Sequence, residues 1–566
     1  MKKVALALTL FLCILIAALA WLAHPIQPPA KQVFINGNIL SMNNTNATFD
    51  AVAVAGDTIV ATGTNEQIKQ LIDQDTVVHD LAGQTLLPGF IDAHSHFPGS
   101  GMQSLGADVN SPPIGTVTSM EQLLNNVAEQ VARTPAGEWV LAFGYDDTLL
   151  SEQRHPTRKE LDAISSETPI FVWHVSGHMA VVNSKALTLA GITDSSKPPL
   201  GGHYGRDSEG RLNGLIEENA VTPLQILALD FSPWQFLQMI EQANLEYLSA
   251  GVTTAQSGAV DKKMSLGMKL ASLFNRTPLR LELWPIFDSY GRDLLEGNES
   301  RSSINGERVH VGAIKLFSDG SIQGFTGYLN QHYHAPYQGK KDFRGYLRFS
   351  QQKLTQQIVN FHKADMQIAV HANGDGAIDA VINAFREAQR QHPRADPRLI
   401  LVHSQMATAA QLAQMKELGI TPSFFSAHVY YWGDRHRDIF LGPERAARIS
   451  PAKSAEDIGL RYSLHLDTPV VPMAPLLAAW SSVNRQTYGG SVLGPAERIS
   501  VMSALRAITI DAAWQVFQEG NRGSIEAGKL ADFVILKQNP LEHAETLNKL
   551  IVQQTIIGGV SQYKRQ

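Results

Sequence analysis

The chain of 566 residues has one cysteine, Cys13, and it lies in an apolar N-terminal stretch. If that stretch is removed, the mature protein has none. Disulfides, thiolate metal sites and cysteine nucleophiles then drop out of the argument. Positive charge is also short: 47 Lys and Arg against 53 Asp and Glu give a formal net charge of -6. There is no basic patch to neutralise phosphates, so nucleic acid is not an expected partner. No internal repeat or low-complexity segment breaks the chain. With 44% hydrophobic and 18% charged residues, the composition is that of an ordinary globular protein.

The length points to a barrel-sized domain of about 250 residues or more plus a second unit. Residues 1–23, "MKKVALALTLFLCILIAALAWLA", combine Lys2 and Lys3, an apolar run, and Ala18 and Ala20 spaced as at a signal-peptidase site. This pattern predicts export, to the periplasm. The run 4–23 approaches the roughly 20 residues that span a bilayer, so an uncleaved inner-membrane anchor is the alternative. Phe11 and Leu12 precede Cys13 where a lipoprotein site needs small residues, so Cys13 belongs to the signal. "HPIQPPAK" (24–31) reads as a spacer.

Residues 33–63 carry short alternating apolar runs broken by Asn-Gly and Gly-Asp, and 523–540 and 549–563 have the same character. Isolated hairpins are marginal, so the two ends of the chain are expected to pair as one small β-domain. Between them, strand-like runs such as "LLPGFIDAHSHF", "PIFVWHVSGH", "GVTTAQSG", "LRLELWPIF", "VGAIKLFSDGS", "MQIAVHANGDG", "RLILVHSQM", "ITPSFFSAH" and "RYSLHLDTPV" alternate with helical stretches. The helices expected are 121–133, 233–250, 350–364 and 377–390. Such alternation predicts parallel β/α units, and about eight of them a distorted (β/α)8 TIM barrel of the α/β class. The expected division is an N-terminal β-sandwich segment over 32–86, the barrel over 87–475 with an insertion at about 98–245, and terminal helices with the C-terminal β-sandwich segment over 476–566.

Positions i and i+2 of a strand share a face, so His94 and His96 in "GFIDAHSHF" project together. Imidazole nitrogens suit zinc and similar metals. The same strand-end placement recurs at His371 in "IAVHANGDG", at His403 in "LILVHSQ" and at Asp467 in "YSLHLDTP". Barrel enzymes place their chemistry at that rim. Four histidines and one aspartate there make a metal site. Asp92, two residues before His94, reads as an orienter of a ligand or a barrel charge. A helix cap before Pro469 is the structural alternative for Asp467.

Taken together, "LLPGFIDAHSHF", His371, His403, "LDTPV" and "GSIEAGKLADFVIL" resemble the amidohydrolase superfamily, and more narrowly its YtcJ-like amidohydrolase-3 branch. The resemblance covers nearly the whole chain after about residue 32. It implies a distorted barrel with a small β-sandwich built from both termini, and a metal-dependent hydrolase.

Lys315, between Ile314 and Leu316 in "VHVGAIKLFSDGS", is a charge inside an apolar strand. Lysine is almost never fully buried unpaired, so it has a partner such as Asp319, a pocket or a modification. The resemblance implies a lysine carboxylated by carbon dioxide that bridges two metals. Burial must first lower an amine pKa of about 10.4 for that reaction. The arrangement expected is His94 and His96 on one ion, His371 and His403 on the other, and Lys315 between them. A mononuclear site is the rival within the family. The ions are divalent, with zinc first and manganese, iron, cobalt and nickel also compatible.

Asp467 is also the expected proton carrier between the attacking water and the leaving nitrogen. Substrate-facing candidates are His178, Tyr145 (with Asp146 in "GYDD"), Ser321, Phe325 and His428. His332 and His334 read as a covering loop, because no apolar strand precedes them. The expected reaction is hydrolysis of a non-peptide amide-type bond in a small molecule. Ester or carbamate hydrolysis, and a silent binding protein that kept the barrel, are the alternatives.

Overall fold

The computed structural model describes residues 26–566. The export segment 1–23, the anchor alternative on 4–23 and Cys13 lie outside the described residues. Among those described, no helix is long and apolar enough to cross a membrane.

Eight parallel strands form the barrel: β1 (Phe90–Ile91), β2 (Val252–Val260), β3 (Arg280–Pro285), β4 (Val309–Val311 and Ile314–Phe317, broken at Gly312), β5 (Ile368–Ala372), β6 (Leu399–His403), β7 (Ile420–Phe424) and β8 (Ser463–Leu464). Runs such as "IAVHA" and "LILVH" are buried at every position, as strands covered on both faces must be. The ring closes past β8, where Asp467 N–H donates to the His94 carbonyl (3.1 Å) and His96 N–H to that of Thr468 (2.8 Å). Helices such as Asp375–Gln391 then pack outside, burying Ile378, Val381, Ile382 and Phe385 at helical spacing.

Both ends of the chain build the smaller unit. Phe533–Leu536 pairs antiparallel with Thr85–Pro88 and with Val552–Ile557, while Lys31–Ile35 pairs with Ala51–Ala55 in a second sheet. Phe34, Val52, Leu86, Phe533 and Ile556 share the core of this unit. The run "LLPGFIDAHSHF" therefore serves two domains, and the chain passes from one to the other at Gly89. A Cβ there would lie 2.1 Å from Thr253 Cγ2, so only glycine fits. Arg280 on β3 clamps the units together: its Nε and Nη2 donate to Asp532 at 2.6 and 3.0 Å, both side chains buried.

One expected barrel strand is corrected. "PIFVWHVSGH" contributes Ile170–His174 to a separate six-stranded sheet, between Val140–Tyr145 and Met179–Val182. An apolar β-branched run marks a buried strand without saying which sheet buries it. This sheet is built within the expected insertion and carries apolar cores of its own.

Candidate metal centre

The closing seam delivers three donors to one point. His94 Nε2 and His96 Nε2 lie 3.2 and 3.3 Å from Asp467 Oδ1. That oxygen is buried and accepts no hydrogen bond. A second group stands beside it, where His371 Nδ1 and His403 Nε2 are 2.9 Å apart. Asp467 Oδ2 is 3.9 Å from His403 Nε2, so the carboxylate faces both groups. Lys315, fully buried, places Nζ 3.0 Å from His94 Nε2.

The far side of three rings settles which nitrogen is bare. His94 Nδ1 donates to Gln256 Oε1 (2.9 Å), which must be the amide oxygen because Ser95 N–H donates to it as well (2.7 Å). His96 Nδ1 donates to the Gly258 carbonyl (3.0 Å) and His371 Nε2 to that of Gly320 (3.0 Å). His403 Nδ1 lies 3.0 Å from His465 Nε2, whose Nδ1 reaches Ser423 Oγ (2.9 Å). Three bare nitrogens therefore converge, with His403 Nε2 beside them. The bare His371 Nδ1 faces His403 Nε2 at 2.9 Å, a gap that a cation or the His403 ring proton fills.

Burial disfavours a charged imidazolium. It pushes His371 and His403 well below the ordinary imidazole value, and together with the Lys315 charge it pushes His94 down to about 3. Burial also brings Lys315 down to about 7. On Asp467 burial acts upward, but the neighbouring His403, with His94 and His96 beside it, outweighs burial and holds the carboxyl well below its usual range. Neutral imidazoles, an amine able to lose its proton and an ionised carboxylate are the donor set of a divalent first-row cation. The residues fit such a group.

The family model described as "Amidohydrolase family" matches residues 77–563. The chain belongs to the amidohydrolase family. N-substituted formamide deformylase of Arthrobacter pascens is 29% identical over 542 residues, covering 94% of this chain and 98% of its own. YtcJ of Bacillus subtilis (strain 168) is 26% identical over 551 residues, 94% of this chain and 100% of its own. A metal-dependent hydrolase of Pyrococcus horikoshii shares the fold, with a TM-score of 0.72 at 22% identity over 90% of this chain and 98% of that one. The chain is thus a metal-dependent hydrolase of non-peptide carbon–nitrogen bonds on a TIM-barrel-type fold.

Several residues that order the amidohydrolase site carry no sequence signal. Gln256 on β2 and His465 after β8 fix His94 and His403. Gly258 lets the His94 ring approach β2, since a Cβ there would lie 2.7 Å from its Cε1. Asp92 does not orient an imidazole. It accepts from Ser95 Oγ and from Gln256 N–H (3.1 Å), and burial raises it to about 7. Asp319 does not pair with Lys315 either, because the N–H groups of Tyr328, Asn373 and Gly374 (2.9, 3.0 and 3.0 Å) occupy it.

One cavity holds all six donor residues. His178 lines it, with its ring centroid 4.9 Å from that of His371 and Nδ1 held by Glu218 at 3.0 Å. The other substrate-facing candidates do not line it. Tyr145 is buried against His155 (3.1 Å) in the inserted sheet, and Ser321 accepts from Gly324 N–H (3.2 Å). Phe325 stacks on Tyr337, and His428 bonds His436 (3.1 Å). Their places near strand ends are spent on packing the loops. His332 and His334 are likewise absent from the lining. Asp146, Asp147 and His174 form another gathering of donors, but Arg435 (2.6 Å) and Trp432 (3.0 Å) already take Asp146.

Proposed function

We propose that this amidohydrolase holds two divalent cations, zinc first, with His94, His96 and Asp467 on one, His371 and His403 on the other, and a carboxylated Lys315 between them. The observation that carries the reading is the convergence of four imidazole nitrogens on Asp467 and on a buried amine. The amine lowered toward 7 by burial supports carboxylation: its nitrogen lone pair attacks carbon dioxide, an N–H proton leaves, and a carbamate results whose one negative charge is shared by two oxygens. When bound, such cations polarise a carbonyl and bring water toward ionisation near neutrality.

The chain's own residues handle protons and position. Asp467 Oδ2, ionised and facing the second group, takes the proton of the attacking water and delivers it to the leaving nitrogen. His178, braced by Glu218, contacts the scissile amide. Gln256 keeps the His94 ligand nitrogen bare, and His465 holds the far side of the His403 ring.

The likeness to N-substituted formamide deformylase supports a substrate with a small acyl group and a larger nitrogen substituent. The N-terminal pattern of Lys2, Lys3 and the apolar run supports an exported site of action, which fractionation of cells carrying a tagged full-length chain tests. The reaction is tested by supplying metal-replete protein with matched N-substituted formamides, carbamates and esters. Amine and formate released from the formamide, and lost in Asp467→Asn, are the expected result. Turnover of the ester alone would contradict it.

A further inference from the structure

The cavity is larger than the metal chemistry requires. Its volume is about 1980 Å³, whereas small-molecule sites typically measure ~300–1,000 Å³. From the donors it runs outward between three helices, α1 (Thr222–Ala228), α2 (Pro233–Ser249) and α3 (Lys262–Leu273). Phe231, Phe236, Met239, Ile240, Met264 and Phe274 line this outer region.

The charged residues reaching it are largely committed elsewhere. Lys263 pairs with Asp230 at 2.7 Å, Arg276 pairs with Glu241, and Asp261 caps α3 by accepting from Met264 N–H. A polar arm, whether sugar, peptide or nucleoside, would leave its own groups short of partners along this wall.

The apolar lining continues to the mouth, where Ile226, Leu266 and Leu270 are 68%, 45% and 44% exposed and still line the cavity. Contiguous exposed apolar side chains at a cavity mouth mark a ligand or partner site. Continuity with the metal donors favours a ligand, since one space joins the reacting centre to this lip.

We propose that the channel between α1, α2 and α3 binds a long hydrocarbon substituent of the substrate, so that the enzyme acts on amides carrying an alkyl chain. This rests on the amide-hydrolysis reading for its chemistry, with the small acyl group at the metals and the chain in the channel. Burying each methylene is worth up to about fourfold in affinity.

The test uses the full chain in two parallel series. Calorimetric binding of straight-chain alcohols from butanol to dodecanol is measured beside kcat/KM for N-alkylformamides of the same lengths. The expected result is a gain of roughly two- to fourfold per added methylene in both series over several carbons. The double variant Leu266→Glu, Leu270→Glu flattens that gain; both side chains are half-exposed, so folding is not at stake. Gly267→Val supplies a second test, because a Cβ at Gly267 would lie 2.6 Å from the Phe236 ring. The displaced ring shortens the length at which the gain stops.

Alcohol binding without dependence on length, or no binding, overturns the inference. So does a wild-type dimer that the double variant makes monomeric with no alcohol bound, since the lip then covers a second copy. Length-dependent alcohol binding without turnover of any formamide leaves the channel standing and removes the amide-hydrolysis reading instead.

Discussion

Asp467 and His94 meet across the seam that closes the barrel, joined twice. The side chains approach at 3.2 Å (Oδ1 to Nε2), and the Asp467 N–H donates to the His94 carbonyl at 3.1 Å. Closing the barrel and assembling the donor set are therefore one event, and the backbone bond holds the register whatever the side chain.

That arrangement separates structure from chemistry at Asp467. In Asp467→Asn the seam remains and the amide keeps a similar shape, but no ionised oxygen is left to move a proton. The expected outcome is an unchanged melting temperature with kcat lowered about 10²–10⁴-fold. Steady-state kinetics beside calorimetric melting check it, and wild-type turnover would remove Asp467 from the mechanism.

Gln256 acts through His94. Its Oε1 accepts both the ring N–H and the Ser95 N–H. Gln256→Leu frees the ring to turn and change tautomer, so metal affinity should fall about 10–100-fold. Competition against a chromogenic chelator measures it.

Lys315, His371 and His403 were legible because each sits in or at the end of an apolar strand, whereas His94, His96 and Asp467 lie three to five residues beyond one, where the apolar run marks the place but a period of two no longer fixes the face. Gln256, His465 and Glu218 were not, because their roles arise from pairing across strands distant in sequence. Tyr145, Ser321, Phe325 and His428 share the strand-end position, but where a loop carries a side chain depends on neighbours that no local pattern encodes. The same limit applies to Ile170–His174, which pairs outside the barrel: an apolar run reports burial, not partners.

The buried Arg280–Asp532 pair joins β3 to the terminal unit. Asp532→Ala leaves a guanidinium buried without its carboxylate, which costs about 3–5 kcal/mol. Urea denaturation should show the loss. A change under about 1 kcal/mol would mean that water reaches Arg280.

Asp511 gives a pH signature away from the metal centre. Burial raises its carboxyl to about 6, although Arg506 and Arg461 pull the other way. The folded protein thus keeps a proton that the unfolded chain loses near pH ~4. Stability from this group is whole below about pH 4, falls as pH rises toward 6, and stays lost above it. The linked loss is about 2–3 kcal/mol. In Asp511→Asn the stability difference between about pH 4 and pH 6.5 should shift by that amount relative to wild type.

The most direct measurement is metal per chain by elemental analysis, on protein purified without chelator, for wild type beside Lys315→Ala. Lys315 Nζ stands 3.0 Å from His94 Nε2 with no carboxylate paired to it among the described residues. The account predicts about two divalent ions in the wild type and a sharp fall in the variant. About one ion in both proteins would contradict the bridged pair and reduce Lys315 to a buried structural amine.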